Sequence, residues 1–276
     1  MSYPTKDRGR AGAKPGTTRE QAERRERFQR AQRESLRPGG DTAILYGWHP
    51  VTAALANPRR TLRKLLATEN AARKLADEGI TAKVAPEIVR PDAIAARLPP
   101  DAVHQGLYAE ADPLPSPAIE ELAADGLVLV LDQVTDPHNV GAIFRSAAAF
   151  AATAIVTTAR HSPEATGVLA KAASGALEHV ALVTVQNLAR ALGDLKERGF
   201  LVVGLDAGGE QDFAALALRA PLALVLGAEG RGLRQLTRET CDHRARLELP
   251  GAIQSLNVSN AAALALYIAR TRLERR

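Results

Sequence analysis

Cysteine occurs once in the 276 residues, at Cys241. A single thiol excludes an internal disulfide framework and any zinc site built from several thiolates, and it fits a reducing compartment. Aromatic residues are scarce at 4%, which argues against RNA-binding modules that stack bases on aromatic platforms. No apolar run approaches the roughly eighteen residues of a membrane span; the longest are short stretches such as 261–269. The charged N-terminus lacks the apolar segment of a secretory signal, and its acidic residues count against a mitochondrial presequence. The six histidines are isolated, with no HxxxH spacing, so no metal site is expected. These absences point to a cytoplasmic protein without metal or membrane partner.

What is present is a large apolar fraction, 46%, enough for the core of one large domain or two modest ones. The net charge of +5 is unevenly distributed. Residues 1–40 hold eleven Lys and Arg against five Asp and Glu, and the rest of the chain holds 25 against 26. The basicity therefore belongs to the N-terminal arm, which lacks core periodicity and is expected to be disordered in isolation. A basic arm suits a polyanion such as nucleic acid, although a solvated tail has the same composition.

From Leu45 the pattern becomes compact. Helical runs at 51–56, 70–78 and 91–97 alternate with strand-like runs at 64–67, 81–85 and 106–109, giving a small α/β module over 41–112. Pro113, Pro115 and Pro117 then stiffen a linker, 113–125. In 126–276, short apolar strands are expected at 127–131, 154–158, 180–185, 200–205, 222–226 and 245–249. Helices are expected at 140–151, 164–173, 188–198, 213–216, 233–240 and 258–272. Nearly all-apolar strands separated by helices imply a parallel sheet covered on both faces, and ligands on such sheets bind beyond the carboxyl ends of the strands.

Three polar, glycine-bearing segments fall at those ends. The first, Asp136-Pro-His-Asn-Val-Gly-Ala-Ile-Phe-Arg-Ser146, places Asn139 where a helix cap belongs and Arg145 among apolar neighbours. The second, Leu226-Gly-Ala-Glu-Gly-Arg-Gly-Leu233, matches neither a phosphate loop nor a dinucleotide fingerprint, and Glu229 repels phosphate. The third, Leu249-Pro-Gly-Ala-Ile-Gln-Ser-Leu-Asn-Val-Ser259, offers Asn257 as a cap and Ser255 as a turn residue. Ordinary capping and turns explain each residue singly. They leave unexplained why all three segments sit at strand ends.

At these segments the chain resembles the SPOUT superfamily, in particular the TrmH/RlmB group of AdoMet-dependent RNA 2′-O-ribose methyltransferases. Tyr46-Gly-Trp-His-Pro-Val and Val103-His-Gln-Gly106 are similar to the ends of the group's N-terminal domain, which is itself similar to kink-turn-binding ribosomal proteins. The resemblance covers about residues 44–272. It implies a deep trefoil knot, an obligate homodimer, and S-adenosyl-L-methionine held mainly through the backbone at Gly227, Leu249 and Leu256. Asn139, Arg145, Glu229, Ser255 and Asn257 match the group's active-site residues. Gln254 and Asn260 depart from it, standing where relatives often carry smaller or apolar residues.

The implied reaction is attack of a ribose 2′-oxygen on the methyl group, with large-subunit rRNA guanosine as the expected substrate. Two alternatives stand beside it: the same chemistry on tRNA, and a non-catalytic RNA-binding or ribosome-assembly protein. Arginine as a general base meets an obstacle, since an ordinary arginine pKa of about 12.5–13.8 makes deprotonation near neutrality cost roughly 7–9 kcal/mol. General-base catalysis returns about 3–5 kcal/mol. A charged clamp on phosphate and developing alkoxide is the expected role of Arg145. RNA affinity is expected from Arg59, Arg60, Arg63 and Lys64, with the arm adding sequence-independent attraction.

Overall fold

In the computed structural model, residues 42–99, 102–159, 167–228 and 230–274 are described. The basic arm, residues 1–40, lies outside them, as does Glu229. Two sheets organise the described residues. The smaller comprises β1 (Ala43–Tyr46), β2 (Leu62–Ala67), β3 (Glu87–Ile88) and β4 (Leu107–Ala111) in the order β1-β4-β2-β3. β4 is antiparallel to both β1 and β2, and β3 runs parallel to β2. Helices α1 (Trp48–Ala56), α2 (Glu69–Asp77) and α3 (Pro91–Ala95) flank it. Thr68 caps α2, accepting the Ala71 N–H at 3.4 Å.

Two expectations for this module need correction. β1 was not anticipated, because four residues beside the arm carry too little alternation to register. The expected strand at 81–85 forms no ladder and bends at Lys83 and Val84. Ala82 and Val84 turn towards the core and alternate with exposed neighbours, but Pro86 supplies no N–H and pairing begins only at Glu87.

The larger sheet comprises β5 (Leu127–Asp132), β6 (Ala154–Thr158), β7 (Ala181–Val185), β8 (Leu201–Leu205), β9 (Gln211–Asp212), β10 (Leu222–Gly227) and β11 (His243–Arg246). Its order is β7-β6-β5-β10-β8-β11-β9, and every neighbouring pair is parallel. Apolar side chains leave both faces of β5 and β10, so each face carries its own core. One face is covered by α4 (Pro137–Ala149), α5 (Gly167–Ala173) and α8 (Val258–Glu274), with Phe144 and Ile143 fully buried. The other is covered by α6 (Leu188–Glu197), through Leu188, Ala191, Leu192 and Leu195. Each fully buried side chain of this size contributes roughly 1.5–3 kcal/mol. α7 (Gln235–Thr240) follows the glycine-bearing loop after β10.

The two sheets meet at a tight seam. α5 packs against β1, and a Cβ added at Gly175 would lie 2.8 Å from the Ala53 methyl and 3.1 Å from the His49 carbonyl oxygen. Gly175 also has φ 90°, so both space and backbone demand glycine there. Beside it, Glu178 is buried against Arg60, with Nε 3.1 Å from both carboxylate oxygens. Asn57 Nδ2 donates to the same carboxylate at 2.7 Å, and Arg60 Nη1 donates to the Asp112 carbonyl at 2.8 Å. The group is well satisfied, as a buried ion pair must be. Arg60→Met would strand Glu178 at a cost of about 3–5 kcal/mol. Thermal unfolding of the variant should begin on the order of 10 °C lower, and a midpoint within about 2 °C of the parent would show that the pair does not hold the seam.

Candidate active site

The sheet order brings two strand ends side by side: Gly227 of β10 is in register with Asp132 of β5. Asp132 is fully buried and accepts from the Arg234 backbone N–H at 2.9 Å and from Arg234 Nε at 2.6 Å. This pair clamps the loop after β10 onto the end of β5. The loop is tight: Gly232 N–H returns to the Ala228 carbonyl at 2.9 Å. A Cβ at Gly227 would lie 2.2 Å from the Gly232 carbonyl carbon, so no side chain fits at that position.

Next to the clamp, Gln133 adopts φ 63°, an uncommon conformation for a non-glycine residue and one that clusters at functional loops. Asp136 then caps α4 by accepting the His138 N–H at 3.1 Å, with Pro137 in the first turn. The cap expected at Asn139 is thus taken by Asp136, because proline at the first helical position fixes the helix start earlier. Asn139 is left inside the first turn, and its Oδ1 accepts from Asn257 Nδ2 at 3.0 Å across 118 positions of sequence. Asn257 does cap its helix as expected: its Oδ1 accepts Ser259 N–H at 2.9 Å and Ser259 O–H at 2.6 Å. Two donors on Oδ1 settle which end of the Asn257 amide faces Asn139.

The remaining residues are placed as follows. Arg145 is exposed and makes no hydrogen bond or ion pair among the described residues. Six positions beyond Asn139, it lies about 240° around α4 from it, so the two leave different faces of the helix. Ser255 and Leu256 are exposed, and Leu249 is half-buried. Within the described residues, 250–256 makes no backbone–backbone hydrogen bond; its side-chain ties are Gln254 Nε2 to the Leu249 and Gly251 carbonyls at 3.4 and 2.6 Å. The segment also displays Ile253 and Leu256 to solvent. Main-chain groups without backbone partners beside exposed apolar side chains suit a heterocyclic cofactor recognised through the backbone. Asn139, Asn257 and the Gly227 loop are brought to one edge of the sheet.

Sequence reasoning missed the Asp132–Arg234 clamp; an aspartate closing an all-apolar strand was its signal, since a buried carboxylate requires a partner. The expected basic patch is also revised. Arg60 is buried on Glu178, Arg63 pairs with the Asp112 carboxylate, and Lys64 lies 3.6 Å from Glu87. Of the four, Arg59 alone is exposed without a carboxylate partner among the described residues. Thiol chemistry is disfavoured, because burial, then the neighbouring Asp242, push the Cys241 thiol up to about 12. Among the described residues no group of three or more His, Cys, Asp or Glu is placed to hold a metal ion, and no helix is long and apolar enough to cross a membrane.

Comparison with known proteins agrees with this geometry. Residues 126–267 match the model of the SpoU rRNA methylase family, and residues 44–117 match an RNA 2′-O-ribose methyltransferase substrate-binding domain. The chain is 39% identical over 234 residues to the 23S rRNA (guanosine-2′-O-)-methyltransferase RlmB of Pseudomonas putida, covering 81% of this chain and 94% of the relative. RlmB of Ralstonia nicotianae is also 39% identical, over 232 residues, covering 81% and 93%. Among solved structures, the SpoU methyltransferase AviRb of Streptomyces viridochromogenes superposes with TM-score 0.73 at 25% identity, covering 91% of this chain and 99% of that one. The same enzyme has been solved in complex with AdoMet, a structure sharing the fold at 24% identity and TM-score 0.72, with 89% and 97% covered. With both sheets matched and the three polar segments gathered at one sheet edge, this chain belongs to the SpoU rRNA methylase family.

Proposed function

We propose that the chain transfers a methyl group from AdoMet to a ribose 2′-hydroxyl of RNA, acting on a guanosine of large-subunit rRNA. The observation that carries this reading is the Asn139–Asn257 hydrogen bond beside the Gly227 loop, in a chain whose full-length relatives are named for that reaction. Residues 41–112 serve as the substrate-binding domain, 113–125 as linker and 126–276 as the methyltransferase domain. The tRNA alternative is weaker, because the relatives matched over nearly their whole length are named for 23S rRNA.

AdoMet, when bound, supplies an electrophilic methyl on a cationic sulfur. Gly227, Leu249 and Leu256 would hold it, largely through main-chain groups, with Ser255 on the same loop and Glu229 contributing negative charge in the glycine loop. The Asn139–Asn257 pair orients the attacking ribose. Arg145, exposed and uncommitted, keeps its charge, grips an RNA phosphate and stabilises the incipient alkoxide, while the 2′-proton leaves to that phosphate or to water.

The reading extends to a homodimer and to the deep trefoil knot of the SPOUT superfamily. Support for a second copy comes from α8, which exposes Leu264 and Tyr267, and from the separation of Arg145 and Asn139 around α4. Support for the knot comes from family membership together with β10 lying between β5 and β8. The chemistry and the rRNA relatives also favour a cytoplasmic site of action.

Two outcomes test the function. Radiolabelled methyl should pass from AdoMet to a 23S rRNA transcript and not to tRNA transcripts; the reverse preference, or no transfer to either, would overturn it. Arg145→Lys should lower the single-turnover rate on the order of 10²-fold at every pH, because lysine cannot supply the bidentate clamp. Recovery of near-parental rates at high pH, where the lysine becomes neutral, would instead identify a true base at this position.

A further inference from the structure

A cavity of about 500 Å³ opens in the smaller sheet's domain, away from the β5, β10 and β11 ends, within the size range of small-ligand sites. Trp48, Asn70, Lys74, His104, Gln105 and Gly106 are among its lining residues, and among the described residues no carboxylate lines it. Lys74 Nζ sits 4.0 Å from the centre of the Trp48 ring, with Glu78 at 3.7 Å on the helix surface outside the cavity lining.

The hydrogen bonding leaves the cavity rich in donors. His104 Nδ1 accepts the Gly106 N–H at 3.1 Å, so the neutral ring carries its proton on Nε2. Gln105 Oε1 accepts from the Trp48 N–H and from Lys171 Nζ, each at 3.0 Å. Both partners are donors, which fixes the amide orientation and turns its NH₂ away from them. That NH₂ has no acceptor among the described residues. The Gln105 backbone has φ 52°. Its occupant must therefore bring several hydrogen-bond acceptors, negative charge and a flat apolar face.

We propose that this cavity seats one unpaired nucleotide of the substrate RNA, its base edge accepting from Gln105 and His104 and its phosphate lying near Lys74. The assignment rests on the RNA-directed function above and adds a contact apart from the Arg60, Arg63 and Lys64 cluster; a phosphate near Lys74 would compete with Glu78, 3.7 Å from Lys74 on the exposed helix surface. Because Lys171 belongs to α5 on the methyltransferase sheet, its bond to Gln105 also ties the cavity's position to the seam between the two sheets.

Gln105→Glu separates recognition from structure, since the carboxylate still accepts from Trp48 and Lys171 but loses both donors and gains a charge facing RNA. With the full chain and an unmodified 23S rRNA transcript, this variant should weaken RNA binding at least about tenfold, with AdoMet affinity and thermal midpoint unchanged. Lys74→Ala, on an exposed helix surface, should weaken it several-fold and reduce the salt dependence by about one phosphate contact. RNA affinity within about twofold of the parent in Lys74→Ala, or RNA binding lost in Gln105→Glu only together with AdoMet binding, would overturn the proposal. Methyl transfer by the parent chain is scored separately: its absence would sink the enzymatic reading, while the variant-to-parent affinity ratio on the same RNA still decides the cavity.

Discussion

The placement of β10 between β5 and β8 is the constraint on which the rest of the molecule depends. In parallel order the carboxyl ends of all three strands fall on one side, and the loops leaving them must share that edge. Asp132 turns this adjacency into a fixed geometry. A fully buried carboxylate costs several kcal/mol unless it is paired and hydrogen-bonded, and Arg234 does both from the far end of the glycine loop. At the start of that loop Gly227 has no room for a Cβ, so main chain packs on main chain there.

The same logic governs the helices that flank the edge. α4 and α8 begin at this side of the sheet and pack against each other over one face of the core. The first turn of α4 carries Asn139 and the cap of α8 is Asn257, so a hydrogen bond between residues far apart in sequence follows from where the two helices start. Ser259 holds the Asn257 amide in a single orientation. The candidate site is thus built from element termini anchored in a packed core, and Gly175 and the Arg60–Glu178 pair hold the seam with the smaller sheet.

Much of this was legible in the sequence. The parallel sheet followed from all-apolar strands, and the three polar segments marked the edge at which Asn139, Asn257 and the Gly227 loop gather. The elements that escaped have a common cause. The Asp136 cap, the ladderless strand at 81–85 and the burial of Arg60 depend on partners distant in sequence or on local competition that composition does not encode. Arg60 reads as surface charge until Glu178, 118 positions later, is known to lie against it. Gln105 appeared only as part of a motif, and its donor amide emerged from two acceptor bonds visible only in three dimensions.

The central claim is that the loops after β10 and β11 together grip AdoMet. Hydrogen–deuterium exchange with and without AdoMet measures this directly. Saturating cofactor should slow exchange in peptides covering 227–233 and 249–257 and leave those covering 48–106 unchanged. Protection confined to one of the two loops, or appearing only in the smaller sheet, would contradict the account.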